Sequence, residues 1–451
     1  MKINFNVLFI FCVWLSIDCH AQNTHWQSIY QGSWTTSPHS YYINAMYEDT
    51  VDNLLYVGGG ASSSSGILVY DGDSIYVQGS YPAGCCRSFI RFNNAIYAGG
   101  TSNTKYLCKW NGNSWDTSGI AANGPVGGFC IYNGELFVGG MFTSIGGINS
   151  QGLAKYDGST WTDVSGFPFS YNIGIAAITE YNGELFVAGS FGDSLGNTMN
   201  IARWDGQQWR DVGGGFHGFM DEVWSFEHYN NELYICGAFR MVSGNVGNYI
   251  AKWDGITLSD VGGGTMGMFN SNGQVYDMAV WGNSLFAVGV FEFAGGIFTS
   301  YISKWDGLNW CYLGDSLNAP IQCVETLDTN LFIGGGWWMI GNDTVSGFAQ
   351  WVGGNYTANC GNTTDISDTP DNHEEFIIYP NPICNFGTIE CTSEIEAFTL
   401  IIIDYSGREL LRTESVGSRL DFSLTGFSSG LYYYRIIQNS EVRKNGKLIV
   451  R

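Results

Sequence analysis

Seven times between residues 40 and 352 the chain repeats an apolar run that closes on small residues. This repetition constrains the fold more than any bulk property. The runs are Leu55-Tyr56-Val57-Gly58-Gly59, Ile96-Tyr97-Ala98-Gly99-Gly100, Leu136-Phe137-Val138-Gly139-Gly140 and Leu185-Phe186-Val187-Ala188-Gly189. Leu233-Tyr234-Ile235-Cys236-Gly237, Leu285-Phe286-Ala287-Val288-Gly289 and Leu331-Phe332-Ile333-Gly334-Gly335 complete the set. Their closing glycines lie 41, 40, 49, 48, 52 and 46 residues apart. Units of that length fit four short strands each, stacked radially so that neighbours bury a shared core.

The strands of one unit follow from its turns. An alternating stretch such as Val223-Trp224-Ser225-Phe226-Glu227-His228 forms the first strand, and the glycine-ended run the second. Between them stand Asn133-Gly134, Asn182-Gly183 or Asn230-Asn231, residues that adopt positive φ cheaply. The third strand ends in Lys109-Trp110-Asn111-Gly112, Lys155-Tyr156-Asp157-Gly158 or Arg203-Trp204-Asp205-Gly206. The fourth opens on Trp115, Trp161, Trp209 or Trp310. Near a crowded axis, glycine lets sheets approach. The aromatic residues read as wedges between blades, each able to bury roughly 150–250 Å². The seventh unit lacks its own tryptophan-led strand, and Trp26-Gln27-Ser28-Ile29-Tyr30 has that pattern at the other end of the body. The expected fold is therefore all-β: a seven-bladed β-propeller of four-stranded blades, with an N-terminal strand closing the last blade. The unit resembles kelch and galactose-oxidase-type propeller repeats, with shorter spacing between its two aromatics (Trp204 to Trp209). The copper site of galactose oxidase finds no counterpart, because the histidines after residue 21 stand scattered at His25, His39, His217, His228 and His373.

Charged residues are only 13% of the chain, aromatics 16%, and the net charge is -22. So acidic a protein repels nucleic acid and anionic membranes. Lys2, the apolar run 7–15 and Cys19-His20-Ala21 read as a signal peptide, residues 1–21, cut after Ala21. No later segment is long and apolar enough to span a bilayer. Export permits disulfides; the candidates are Cys384 with Cys391, and pairing among Cys85, Cys86, Cys108 and Cys130, whereas Cys236 reads as a buried thiol.

The propeller is expected over residues 22–354, a polar linker over 355–376 and a small antiparallel β-sandwich over 377–451, with strands near 377–379, 398–405, 420–424 and 431–438. The last part carries Tyr379-Pro380-Asn381-Pro382, then Asp404-Tyr405-Ser406-Gly407, then Gly430-Leu431-Tyr432, and Lys447 near the final residue. These blocks resemble the type A C-terminal sorting domain carried by cargo of the Bacteroidota type IX secretion system. The resemblance implies the type IX machinery as a partner, and release from or display on the cell surface.

The long, variable connections, such as 141–151, 213–222 and 336–345, gather on one face of a propeller, where function is usually mounted. Trp337 and Trp338, with Phe216, His217 and Asp221, are the candidate ligand-binding residues; the competing reading has the aromatic ones plugging the channel. His217 beside Asp221 or Glu222 is a candidate acid–base pair, but no spacing singles out a catalytic pair and no catalytic residue is assigned. No cluster has the spacing of a metal site; Asp193 and Asp343 are the loop carboxylates that would serve Ca²⁺. The expected function is a binding or adhesion module for an extracellular glycan or protein, not an enzyme. The alternative is a polysaccharide lyase or hydrolase using the same loop face.

Overall fold

The computed structural model describes residues 26–29, 42–60, 67–79, 86–101, 106–164, 171–192, 200–216, 222–240, 246–267, 273–313, 317, 319–336, 339–340, 343–344, 347–352, 376–379, 386–391, 397–403, 408–427, 430–438 and 441–450. Residues 1–21, expected to be a signal peptide, and residues 355–375 of the expected linker lie outside them. The chain divides into two compact units, Met1–Gly361 and Asn362–Arg451. Regular structure among the described residues is entirely β.

In the first unit, seven four-stranded antiparallel sheets follow one another along the chain. Their first strands are Tyr42–Asp49, Cys86–Phe92, Val126–Tyr132, Tyr171–Tyr181, Val223–Tyr229, Gln274–Trp281 and Ile321–Leu327. Each packs beside the next, and Ile321–Leu327 packs back against Tyr42–Asp49. The fold is a β-propeller, with the first strands surrounding a central channel. In the seventh sheet the outermost strand is Trp26–Ser28, paired in register Trp26↔Trp351, Gln27↔Gln350 and Ser28↔Ala349.

The hydrophobic core is a set of wedges between adjacent sheets. Trp115, Trp161 and Trp310 are buried. Each donates its Nε1–H to a backbone carbonyl of the preceding blade: Gln78 at 2.8 Å, Gly119 at 3.2 Å and Val261 at 2.9 Å. Indole therefore fills the wedge and satisfies a carbonyl at its rim. In the Asp-Gly turns the carboxylate caps the hairpin: Asp157 Oδ1 accepts the N–H of Ser159 and of Thr160, both at 2.7 Å. These N–H groups hold the Asp157 carboxyl below its usual range. The Thr160 and Ser159 bonds recur as Gln208 and Gln207 at Asp205, where, with Arg210, they lower the carboxyl to about 2.

The glycine pair has two distinct causes. A Cβ on its first member would strike the next blade: at Gly99 it would lie 2.7 Å from Val126 Cγ1, and at Gly334 2.5 Å from Ile43 Cγ2. The second member, glycine in all seven units, faces a carbonyl within its own blade. A Cβ on Gly140, Gly237 or Gly289 would lie 2.0 Å from the backbone oxygen of Pro125, Glu222 or Gln274. No rotamer change relieves a backbone clash. Gly237→Ala is expected to cost about 1–3 kcal/mol or more, read as a lower urea midpoint; an unchanged midpoint would refute the close approach.

The expected disulfides are not formed by the described cysteines. Cys86, Cys108, Cys130 and Cys391 are buried as thiols. Cys86 and Cys108 pack into the wedge between the first two sheets, Cys130 into that between the third and fourth, and the Cys86 side chain faces Gly58. Cys85 and Cys384 lie outside the described residues. Cys311, which the sequence pattern did not single out, is disulfide-bonded.

The second unit has a three-stranded sheet (Phe376–Tyr379, Phe386–Cys391, Arg419–Ser423) and a four-stranded sheet (Glu409–Glu414, Thr399–Ile403, Gly430–Gln438, Glu441–Val450). Ile389 from the first sheet and Leu400, Ile402, Ile436 and Leu448 from the second are fully buried in one core.

Candidate functional site at the channel mouth

Every first strand carries a β-bulge at the same place, opposite the glycine pair. The pairing register skips one residue between Ile43 and Ala45, Cys86 and Ser88, Val126 and Gly128, and Ile175 and Ala177. It does so again between Val223 and Ser225, Val275 and Asp277, and Ile321 and Cys323. A bulge re-aims the extra residue. The seven extra residues are Asn44, Arg87, Gly127, Ala176, Trp224, Tyr276 and Gln322, and all line one cavity of ≈ 690 Å³ at the start of the first strands. That is the end of the channel on which the long connections lie.

Its walls are unequal. Gly127, Gly128, Ala176 and Ala177 leave one side open. Next to them around the ring, Trp224 and Tyr276 are half-buried, with ring centroids 5.3 Å apart and planes at 48°. Trp224 donates Nε1–H to Glu222 Oε2 at 3.0 Å, which fixes the indole. Arg87 is exposed on the second blade, and Asn44 and Gln322 bring polar groups between it and the aromatic side. Such a wall offers flat apolar faces beside amide and guanidinium donors.

Three carboxyl groups stand on the fifth, sixth and seventh first strands, Asp277 in the cavity lining and Glu227 and Glu325 outside it. Asp277 accepts Ser225 Oγ–H at 3.1 Å and the Val324 N–H at 3.1 Å, so it ties the sixth blade to both neighbours. Burial raises its carboxyl to about 6. Burial, then the nearby Asp277 charge, raises Glu227 to about 8. Glu325 is raised to about 8, chiefly by burial, with Asp277 and Glu227 adding to it. The first strands present unpaired backbone N–H groups toward the channel, and neighbouring side chains satisfy some of them: Tyr47 Oη accepts the Arg91 N–H at 3.1 Å, as Asp277 accepts that of Val324.

Of the residues singled out from sequence, Phe216 is placed in the core. It is fully buried and stacked on Phe239 with centroids 4.0 Å apart, so it offers no open face. His217, Asp221, Trp337 and Trp338 lie outside the described residues, as does Asp193; Asp343 is described in backbone only. Three of the long connections fold into extra β-structure. Ser144–Ile145 pairs with Ile148–Asn149, Met339–Ile340 with Asp343–Thr344, and Phe293–Ala294 with both Ile297–Phe298 and Thr265–Met266. Among the described residues, no group of three or more His, Cys, Asp or Glu is arranged to hold a metal ion. Sequence reading passed over Trp224, Tyr276 and Arg87. The available signal was a break in alternation, two residues off the core in succession, as in Val223-Trp224-Ser225 and Val275-Tyr276-Asp277.

In the second unit, Tyr432 is half-buried, packs on the core and meets Phe427 edge-on at 5.2 Å. The backbones of Tyr379, Gly430 and Lys447 lie in strands, while Pro380, Asn381, Pro382 and Gly407 lie outside the described residues. Residues 377–451 match the family described as secretion system C-terminal sorting domain. The tail is a type IX sorting domain. It directs the protein through type IX secretion to the cell surface or the extracellular space. Among the described residues, no helix is long and apolar enough to cross a membrane.

No curated protein matches the chain in sequence. Among solved structures it is similar to the extracellular domain of the hybrid two component system BT4673 from B. thetaiotaomicron, at 13% identity and a TM-score of 0.50, over 81% of this chain and 46% of that one. The chain thus spans less than half the length of that relative. It is also similar to the Neurospora crassa Pan2 WD40 domain (10% identity, TM-score 0.43, 73% of this chain and 95% of that one). The Myceliophteria thermophila Cps50 (Swd1) β-propeller domain gives 9% identity and a TM-score of 0.42, over 70% of this chain and 96% of that one.

Proposed function

We propose that this protein is an exported binding module. A signal peptide cut after Ala21 starts its export, and the sorting domain completes it. The body acts as a seven-bladed propeller of kelch-like repeats, with the Trp26 strand completing the last blade, and holds an extracellular glycan or protein at the channel mouth. The observation that carries this reading is the convergence of all seven bulge residues on one cavity, with the Trp224–Tyr276 pair facing Arg87 across it. Sugar rings present apolar C–H faces and hydroxyl edges, and this wall complements both. A second reading, a polysaccharide lyase or hydrolase, is favoured by Asp277, a cavity-lining carboxyl raised to about 6. Against it, both Asp277 oxygens already accept hydrogen bonds from neighbouring blades. Incubation of the secreted protein with extracellular polysaccharides separates the two. Retention on the polymer without new reducing or unsaturated chain ends is expected; chain shortening that Asp277→Asn abolishes would establish the enzyme instead.

A further inference from the structure

A second cavity, ≈ 510 Å³, lies at the seam of the first and second blades, remote in the fold from the channel mouth. It arises where one blade departs from the repeat. In the third, fourth and fifth blades a glutamate opening the second strand pairs with a cation on the third: Glu135 with Lys155 at 2.8 Å, Glu184 with Arg203 at 2.7 Å, and Glu232 with Lys252 at 2.8 Å. In each case the cation stands opposite the residue two places after the glutamate. In the second blade the same register sets Lys109 opposite Tyr97, and the glutamate position holds Ala95. Lys109 therefore lacks the glutamate partner of the other blades and lies 5.6 Å over the Tyr97 ring; Asp116 stands across from it on the fourth strand, but no ion pair joins the two. Trp110 forms a half-buried wall of the groove. Gln78 lies at its floor, with an Oε1 that finds no hydrogen-bond partner. Asp52, also on the wall, is already bound by Arg91, which Asp49 holds as well.

We propose that this groove binds the uronic-acid units of an acidic polysaccharide. One such unit carries a carboxylate for Lys109, an apolar ring face for Trp110 and hydroxyl groups for the amides around Gln78 and Asn94. The acidic body does not forbid this, because charges beyond about 8 Å are largely screened at physiological ionic strength. A half-buried lysine within a groove is screened far less. The site is independent of the channel mouth and of what binds there.

The test uses the full secreted chain and titrates oligomers of galacturonate, guluronate and glucuronate, neutral galactose oligomers of equal length, and an oligoglutamate peptide. At least one uronate oligomer is expected to bind, more weakly as salt rises, and the neutral oligomers to bind at least tenfold more weakly. Lys109→Ala is expected to weaken uronate binding at least tenfold. Ala95→Glu restores the pair seen in three other blades, and is expected to abolish binding while leaving the melting temperature equal or higher. That variant separates a lost ligand site from a lost fold. Four results would overturn the proposal: no uronate binding, equal binding of neutral oligomers, preference for oligoglutamate, or loss through Trp224→Ala but not through Lys109→Ala.

Discussion

Trp26→Ala is expected to destabilise the propeller by about 3–5 kcal/mol, the usual range for truncating a buried tryptophan. Trp26 is 3% exposed and meets Trp351 edge-on with centroids 5.0 Å apart. It packs in one cluster with Phe286, Leu331 and Ile333, so a residue near the start of the chain buries residues some three hundred positions later. Loss of its strand would also leave Phe348–Trp351 as an open edge, ready to pair with another chain. Gln27, exposed on the same strand, is the control: Gln27→Ala should change stability by less than about 0.5 kcal/mol. Urea unfolding of both variants measures the difference. Equal midpoints for the two would mean that the N-terminal strand does not hold the last blade.

Stability is expected to fall as pH rises from about 6 to about 8, against the usual acid sensitivity of an acidic protein. Glu227 and Glu325 are raised from 4.5 to about 8, and Asp277 from 3.8 to about 6. Each is protonated more readily in the folded than in the unfolded chain. Their contribution is complete below their unfolded values and is lost as pH rises through the folded ones. Each group can supply at most about 1.4 kcal/mol per pH unit while it titrates. His228 acts oppositely: burial lowers its value below 6.5, so its effect appears on acidification. The turn aspartates, held low by N–H groups, also act only in acid. The range above pH 6.5 therefore isolates the channel carboxyls. Thermal melts of the double variant Glu227→Gln/Glu325→Gln should be nearly flat there, while the parent declines. Parallel curves would show that these groups are ionised and solvated in the fold.

The wedges were legible because a tryptophan beside a hairpin turn repeats at fixed spacing, and only burial between sheets explains that pattern. The glycine pair was half legible. Crowding between blades accounts for Gly99 and Gly334, yet the more constant second glycine answers to a carbonyl beside the bulge, a contact within one blade. The bulges themselves were missed. A single extra residue hides within alternation, and Val223-Trp224-Ser225 reads as ordinary strand until its partner register is known. With the bulges went the site: Trp224 and Tyr276 reach the channel because of them. Phe216 was misplaced for the converse reason. An aromatic residue in a glycine-rich connection looks exposed, but Phe239 and the fifth-blade core lie directly beneath it. Of the expected cysteine partners, Cys86 and Cys108 do share the wedge between the first two sheets, yet both remain thiols, and Cys130 lies in a different wedge.

The most direct test of the channel mouth as the binding site is a glycan and extracellular-protein array probed with the secreted chain and with its Trp224→Ala variant. A ligand that binds the parent and is weakened at least tenfold by the substitution, about 1.4 kcal/mol, is the predicted result. A ligand set held equally by both proteins would contradict it.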